Sequence, residues 1–315
     1  MLLSLPLSLL GGLFSGPVAD TIVPADDGTG TQVHYQPAGA TADRYTPGDR
    51  YTITGGSQSS DGSNLFHSFD TFNINTGSTA TFISPEKVEN IFGRVVGGQG
   101  SFINGTLSLT GSDANLFLLN PAGILFAPGA QLDVPAAVTA TKATVIEFDG
   151  GMSCNCSTQN YCDLRGYPQL FQFGVDPGSI IILGQLSVLP GARLSLLSGI
   201  VVNRGSLIAP GGQVVIAAVP DGQWLRLSAA GQVLSLELER SPALETNEST
   251  TNASTTPSIT ISPLSLGELL TGAGPDVAID IQVNAAGQIT LSGGDLSAPA
   301  NAVTVQPGDA IASGQ

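Results

Sequence analysis

The feature that most constrains this chain is a twelve-residue pattern that recurs along it. The copies are GILFAPGAQLDV at residues 123–134, GSLIAPGGQVVI at 205–216 and GDLSAPANAVTV at 294–305. All three share Gly at the first place, Leu at the third and Ala-Pro at the fifth and sixth. A looser copy with one additional residue, GQLSVLPGARLSL, covers 184–196, and its proline lies 20 residues before that of the next copy. A period of this size is typical of solenoid proteins.

A repeat this short cannot bury its own apolar face, so it must stack on its neighbours. Short strands separated by Gly and Pro corners predict the turns of a parallel β-helix, with inward columns of Leu, Val and Ile as the core. We expect the copies that begin at residues 123, 205 and 294 to occupy equivalent positions on successive turns of one solenoid.

The longest such stretch, NLFLLNPAGILFAPGAQLDV at residues 115–134, contains a corner at Asn120-Pro121-Ala122-Gly123. A residue that precedes proline favours an extended backbone, so Asn120 is expected to end a strand. Gly123 permits a corner geometry that a side chain would disfavour. We expect the Asn120 amide to bind backbone groups of the corners in adjacent turns.

The composition agrees with an all-β, turn-rich protein. The 315 residues include 40 Gly and 20 Pro, and only 11% are charged. The formal charge of −15 argues against a nucleic-acid partner, because no basic stripe is present to neutralise phosphates. A solenoid needs no division of the chain, so residues 20–315 are predicted to form one elongated β-helical domain.

The chain begins with MLLSLPLSLLGGLF, which is apolar but too short to span a bilayer as a helix. Residues 1–19 are therefore interpreted as a signal-peptide-like segment, and the alternative is a buried first strand. Further along, residues 241–258 are poor in apolar side chains and are predicted to form a flexible loop. Residues 263–272 are the best candidate for a short helix. His67 lies in a segment of partly alternating polarity, and we interpret it as a structural residue of a strand; the alternative is a catalytic base.

Residues 148–170 are predicted to leave the solenoid as an excursion that contains all three cysteines, Cys154, Cys156 and Cys162. One disulfide with a spare thiol would close this excursion in an oxidising compartment. Three free thiols, or a soft-metal site made of these thiolates, are the alternatives. The sequence indicates no other metal or cofactor site.

Several segments, in this order and spacing, resemble one protein family. They are HSFDTFNI at residues 67–74, VENIFGRVVGG at 88–98, GTLSL at 105–109 and ANLFLLNPAGILFAPGAQLDV at 114–134. Residues 179–219 are similar to the continuation in cyanobacterial-type members. Together they resemble the filamentous-haemagglutinin-type secretion domain, which lies at the N-terminus of two-partner-secretion exoproteins.

The resemblance implies a right-handed parallel β-helix with an N-terminal cap and extra-helical loops. It also implies export through the periplasm, a cognate outer-membrane transporter with periplasmic receptor modules as partner, and a final location outside the cell or on a cell surface. It singles out these motif residues: Asn120, Pro121, Gly123, Ile124, Asn90, Arg94, Gly97 and Gly98. For Asn120, recognition by the transporter and the structural role given above are both open, and the two roles are compatible. The family motif has Asn where this chain has Ala122. The nearest match to its other motif, of NPNL type, is Ser-Pro-Glu-Lys at residues 84–87.

The function expected from this resemblance is a non-catalytic secretion domain of an adhesin-like exoprotein, which folds at the cell exterior and contacts a host or neighbouring cell. One alternative is a β-helical polysaccharide-processing enzyme, which would need paired carboxylates. No such pair recurs at one-turn spacing in the repeat copies. The other alternative, a calcium-dependent surface structural protein, would explain the acidity, but the sequence contains no G-G-x-G-x-D repeat.

Overall fold

The structure is a computed structural model that describes residues 22–39, 48–149, 153–155, 161–174, 178–219 and 223–226, together with short strands between 237 and 313. Residues 153–155 and the strands after residue 226 are described by their backbone. The predicted signal-like segment 1–19, the flexible loop 241–258 and the helix 263–272 lie outside the described residues. Within the described residues, no helix has both the length and the apolar character needed to cross a membrane.

Nearly all of the regular structure in the described residues is β-strand. The elements before the last solenoid turns are β1 Ile22–Pro24, β2 Thr31–Gln36, β3 Arg50–Gly55, β4 Ser57–Gln58, β5 Asn64–Phe72, β6 Thr79–Ile83, β7 Asn90–Val95, β8 Ser101–Ile103, β9 Thr106–Thr110, β10 Asn115–Leu119, β11 Ile124–Phe126, β12 Gln131–Asp133, β13 Val138–Thr141, β14 Val145–Phe148, β15 Ser153–Asn155, a 3-10 helix Tyr161–Asp163 and β16 Pro168–Gln172. The remaining strands are β17 Ser179–Ile182, β18 Gln185–Ser187, β19 Arg193–Ser198, β20 Ile200–Asn203, β21 Ser206–Ile208, β22 Gln213–Ala218, β23 Gln223–Arg226, β24 Glu237–Arg240, β25 Asp280–Val283, β26 Ile289–Ser292, β27 Leu296–Ala298, β28 Val303–Pro307 and β29 Ile311–Ser313.

Parallel strands stack in three sheets, to which the chain returns turn after turn. Sheet A contains β5-β7-β10-β13-β19-β22, sheet B contains β3-β6-β9-β12 and sheet C contains β8-β11-β17-β20. All neighbours within these series are parallel. In the last turns, β18 and β21 take the place between sheets C and A as a separate parallel pair. This topology confirms the predicted parallel β-helix, in which backbone groups pair with the turns above and below.

Antiparallel strands cover both ends of the solenoid. At the first turn, β1 and β4 pair with β5, and β2 pairs with β3. At the last turns, β27, β28 and β29 pair with β20, β22 and β21 respectively. These strands occupy edges that would otherwise be free to pair with another chain.

The expected equivalence of the three repeat copies is wrong. The copy at 123–134 contributes β11 to sheet C and β12 to sheet B, whereas the copy at 205–216 forms the next corner, from β21 to β22 of sheet A. The copy at 294–305 contributes β27 and the start of β28, which run antiparallel to the solenoid strands. The looser copy at 184–196 is the one that lies directly beside 205–216, in register. The pattern describes a strand, a Pro corner and a strand, and this local geometry suits more than one corner of the coil.

The solenoid interior is a column of apolar side chains from each sheet. In sheet A the inward residues in register are Leu65, Ile91, Leu116, Val138, Leu194 and Val214, all of them buried. Side chains alternate across a strand, so the residues between them point outward. The predicted inward columns of Leu, Val and Ile are therefore present.

A second core covers the outer face of sheet A. There, Phe66, Phe92 and Phe117 stack along the sheet with ring centroids 4.9 and 4.7 Å apart. They are buried by an extra-helical antiparallel sheet, β15-β14-β16-β23-β24, which contributes Phe171 and Leu225 among others. A column of three rings on the outside of a solenoid needs such a cover, because exposed apolar patches favour association.

Candidate functional site

The corner at residues 120–123 joins β10 of sheet A to β11 of sheet C. Within it, the Gly123 N–H donates to the Asn120 carbonyl oxygen at 3.0 Å, which closes a tight turn. The Ala122 N–H donates to the Asn120 side-chain oxygen Oδ1 at 2.9 Å. This second bond is an Asx turn, in which the side chain imitates a backbone acceptor.

The Asn120 side chain also binds the preceding turn of the solenoid. Its Nδ2 donates to the Gln99 carbonyl oxygen and to Ser101 Oγ, both at 2.9 Å. Its backbone N–H donates to the Thr141 carbonyl oxygen of the following turn at 2.9 Å. Asn120 is buried, and its hydrogen bonds connect three turns.

Close backbone packing continues through the rest of the corner. Gly123 has a φ of +112°, and a Cβ there would lie 2.8 Å from the Ser179 carbonyl oxygen of the next turn. A Cβ on Gly178 would likewise lie 2.6 Å from the Pro121 carbonyl oxygen. Ile124 is fully buried and pairs with Ile180. The corner therefore tolerates only small residues where the next turn returns onto it.

Between β13 and β17, the described residues leave the solenoid at this same corner, one turn later. In the previous turn four residues, 120–123, connect sheet A to sheet C, but here the chain runs outward from the end of β13 and returns to β17. Both ends rest on the corner. Thr141 accepts the Asn120 N–H at the departure point, and Gly178 and Ser179 pack on residues 121–123 at the return.

Asn90 is the middle of a ladder of three asparagines on the outer face of sheet A. Its Nδ2 donates to Asn64 Oδ1 at 2.9 Å, and Asn115 Nδ2 donates to Asn90 Oδ1 at 3.0 Å. The ladder ends on the excursion, because Asn64 Nδ2 donates to the carbonyl oxygens of Leu164 and Gly166 at 2.8 and 2.9 Å. The sequence reasoning selected Asn90 but missed Asn64 and Asn115. Their spacings of 26 and 25 residues, close to one turn, were the available signal.

Arg94 lies further along the same outer face and is 3% exposed. Its guanidinium Nη1 donates to the Tyr161 hydroxyl at 2.9 Å, and that hydroxyl lies 3.3 Å from Thr29 Oγ1. Thr29 in turn hydrogen-bonds to Asp27. Burial raises the pKa of Asp27, but the hydrogen bonds from Thr29 and the nearby charge of Arg94 outweigh this and lower it. Arg94 thus links the N-terminal cap to the excursion.

Gly97 and Gly98 form the corresponding corner one turn before residues 120–123. A Cβ on Gly97 would lie 2.2 Å from the Asp70 carbonyl oxygen of the first turn. Gly98 has a φ of +77°, and a Cβ there would have no neighbouring atom within 4 Å. Gly97 is therefore required for close packing, whereas Gly98 is favoured by its backbone conformation alone.

The cysteines lie in the excursion. Cys162 is exposed and carries a free thiol, and its carbonyl oxygen accepts hydrogen bonds from the N–H and Oγ of Ser60 at 3.0 and 2.7 Å. The backbone of Cys154 belongs to β15, while its side chain and the whole of Cys156 lie outside the described residues. The disulfide among these cysteines, whose pairing the sequence does not specify, stays a prediction. Among the residues that the structure describes, no group of three or more His, Cys, Asp or Glu could hold a metal ion.

His67 lies inside the solenoid, in contact with the ring of Phe82 at a centroid distance of 5.4 Å. Neither of its ring nitrogens has a hydrogen-bond partner among the described residues. Burial lowers the pKa of His67 to about 4, so the ring is neutral near pH 7. This is the position of a core residue, as the sequence predicted.

The matches to known proteins cover most of the described solenoid. No match is found among curated proteins. Among solved structures, the secretion domain of HMW1 from Haemophilus influenzae is similar, with 19% identity and a TM-score of 0.48. The match covers 70% of this chain and 49% of that one, so the aligned part spans about half the length of the HMW1 domain. A family model, the TPS secretion domain, matches residues 30–256, which include the Asn120 corner, the asparagine ladder and the excursion, and the chain therefore belongs to the TPS secretion domain family.

Proposed function

We propose that this domain directs the export of an adhesin-like exoprotein through a cognate outer-membrane transporter. In this proposal the transporter's periplasmic receptor modules bind the partly extended chain by strand addition. The protein then folds outside the cell, where it is secreted or stays at the cell surface and contacts a host or neighbouring cell. The observation that carries the proposal is the match of the TPS secretion domain over residues 30–256.

The geometry of the corner at residues 120–123 supports a role in this process. Asn120 binds groups in the turns before and after its own, so its hydrogen bonds form only when neighbouring turns have assembled. A substitution there acts on a late, cooperative step of folding rather than on one strand. We infer that the corner matters for export because it commits successive turns to the coil.

Folding outside the cell would then favour export. Each new turn adds backbone hydrogen bonds and buries another layer of the inward columns, and a folded chain outside does not return through the transporter. The antiparallel strands β1, β2 and β4 provide the first surface on which these turns stack.

We also propose that the domain catalyses no reaction. His67, the residue considered as a base, is buried in the core with its pKa lowered to about 4 by burial. Its ring is thus removed from solvent and from any substrate. Asp133 is the one acidic residue of its repeat copy. Its carboxylate accepts a hydrogen bond from Ser108 Oγ at 3.0 Å and lies at the surface of sheet B.

The experiment compares export of the wild type, Asn120→Ala and Gly123→Ala in a strain that carries the cognate transporter. Gly191→Ala is the matched control, since its φ is also positive, a Cβ there meets no neighbour within 4 Å, and it lies outside the motif residues. We expect the two corner variants to fall severalfold in the culture medium and to accumulate in the periplasm, with little change for Gly191→Ala. Unchanged amounts in the medium for both corner variants, or export of the wild type without the transporter, would refute the proposal.

A further inference from the structure

The excursion reaches back from the fourth solenoid turn to the N-terminal cap. β14 and β16 form its antiparallel stem, and residues 161–166 lie at its far end. We call residues 161–166 the latch. It contacts residues about 100 positions earlier in the chain, so its docking is a long-range event in folding.

The latch is held by hydrogen bonds at both of its ends. Ser60 donates its N–H and Oγ to the Cys162 carbonyl oxygen, and Asn64 donates to the carbonyl oxygens of Leu164 and Gly166. In return, the Gly166 N–H donates to Asp61 Oδ2 at 3.3 Å. The partners are main-chain groups of the latch, so these bonds depend on its position rather than on its sequence.

The Tyr161 side chain holds the latch against the outer face of sheet A. Its ring lies 5.1 Å from that of Phe66, at the start of the aromatic column, and its hydroxyl accepts the Arg94 hydrogen bond at 2.9 Å. Tyr161 and Leu164 are both buried. When the latch is closed, Tyr161 covers the first-turn end of the column and places its hydroxyl on the guanidinium of Arg94.

Both ends of the excursion contact the corner at residues 120–123, as the contacts of Thr141, Gly178 and Ser179 show. A displacement of this corner therefore moves the base of the excursion. β14 and β16 are paired over residues 145–147, with an irregularity between Glu147 and Phe148, and this pairing carries such a movement towards the latch.

We infer that the corner at residues 120–123 positions the latch, and that the closing of the latch over the aromatic column regulates when the exported domain reaches its final folded state. This inference rests on the proposed function, which it deepens by naming how the motif acts. The column cannot be covered until residue 166 has joined the first turns. The cap and the first turns are thus completed only after about half of the chain, counted from residue 1, has emerged.

The test measures amide hydrogen exchange in the purified full-length chain, with no transporter present. In Gly123→Ala, exchange of residues 161–166 should rise about tenfold or more, since the left-handed backbone and the clash with Ser179 both oppose the native corner. In the control Gly191→Ala, exchange of the latch should stay within about threefold of the wild type, because a Cβ there meets no neighbour and the residue lies in a different corner of the coil, between β18 and β19. Asn120→Ala, which keeps the backbone unstrained, is the second variant and should show the same effect if Gly123→Ala fails to fold.

Export then distinguishes a positioning role from a general loss of stability. Tyr161→Ala opens the latch without touching the corner and should lower the amount in the medium. The double variant Gly123→Ala, Tyr161→Ala should lose no more than the worse single variant, because both changes act on one step. Faster exchange confined to β10 and β11, or losses that multiply in the double variant, would overturn the inference. Such results would leave transporter-dependent export of the wild type unaffected.

Discussion

Acidification provides a quantitative test of the solenoid core, because His67 is a titratable group buried in it. Its pKa falls from 6.5 to about 4, and burial is the sole cause. Between these two values, the unfolded chain binds a proton that the folded chain does not. Stability is thus fully present above the unfolded pKa of 6.5 and is lost as the pH falls towards about 4.

The size of the effect follows from the same pair of values. A fall in pKa from 6.5 to about 4 is worth about 3 kcal/mol of unfolding free energy, at about 1.4 kcal/mol for each tenfold change. Most of this loss should appear between about pH 7.5 and about 4.5. A loss of this size is a large fraction of the stability of a typical domain.

The assay is urea unfolding at constant ionic strength across that pH range, for the wild type and for His67→Phe. Phe cannot titrate and suits the neighbouring ring of Phe82, so the slope of stability with pH should nearly vanish in this variant. His34→Gln, at an exposed position, is the control and should keep the wild-type slope.

The carboxylates with shifted pKa values act outside this window. Hydrogen bonds from Ser59 and Ser63 outweigh burial and lower the pKa of Asp61 below 3.8, and Asp27 is lowered as well. Their stabilising contributions are lost only as the pH falls below 3.8.

The prediction fails if the wild type and His67→Phe lose the same unfolding free energy between about pH 7.5 and about 4.5. That result would refute the placement of His67 in the core.

Two further predictions concern the stacking of turns. Asn90→Leu removes the middle of the asparagine ladder and takes away the donor that pairs with the buried Oδ1 of Asn64, so it should cost about 1–3 kcal/mol in urea unfolding. A neutral result would contradict the ladder. Gly205→Ala would place a Cβ 1.8 Å from the Gly184 carbonyl oxygen and should lower the unfolding midpoint well beyond Gly191→Ala, which has a positive φ but open space. Equal midpoints for these two variants would show that the last turns are not packed as closely as described.

Much of the fold could be predicted from the sequence, because its determinants are local. Alternating apolar residues specify strands with one buried face, and Gly and Pro specify where each strand ends. Asn120 shows this directly, since its position before a proline predicted the end of β10. The short period then required stacking, and a parallel β-helix followed from it.

The placement of the repeat copies could not be predicted in the same way. The copies at 123–134 and 205–216 are identical at six of their twelve positions, including the Ala-Pro-Gly of the corner, yet they form different corners of the coil. The copy at 294–305 pairs antiparallel with the last turns. Local turn chemistry specifies the bend, but the strand that each copy meets depends on the length of every preceding turn.

The asparagine ladder and the latch show what only the tertiary structure decided. Asn64, Asn90 and Asn115 are ordinary polar residues in the sequence, and they become a ladder because successive turns stack in register. Tyr161 meets Arg94 because the excursion folds back over sheet A. The sequence by itself determined the strands, the corners and the family, since these depend on neighbours along the chain. The tertiary structure decided which distant polar groups pair, because those pairs exist only after the turns have stacked.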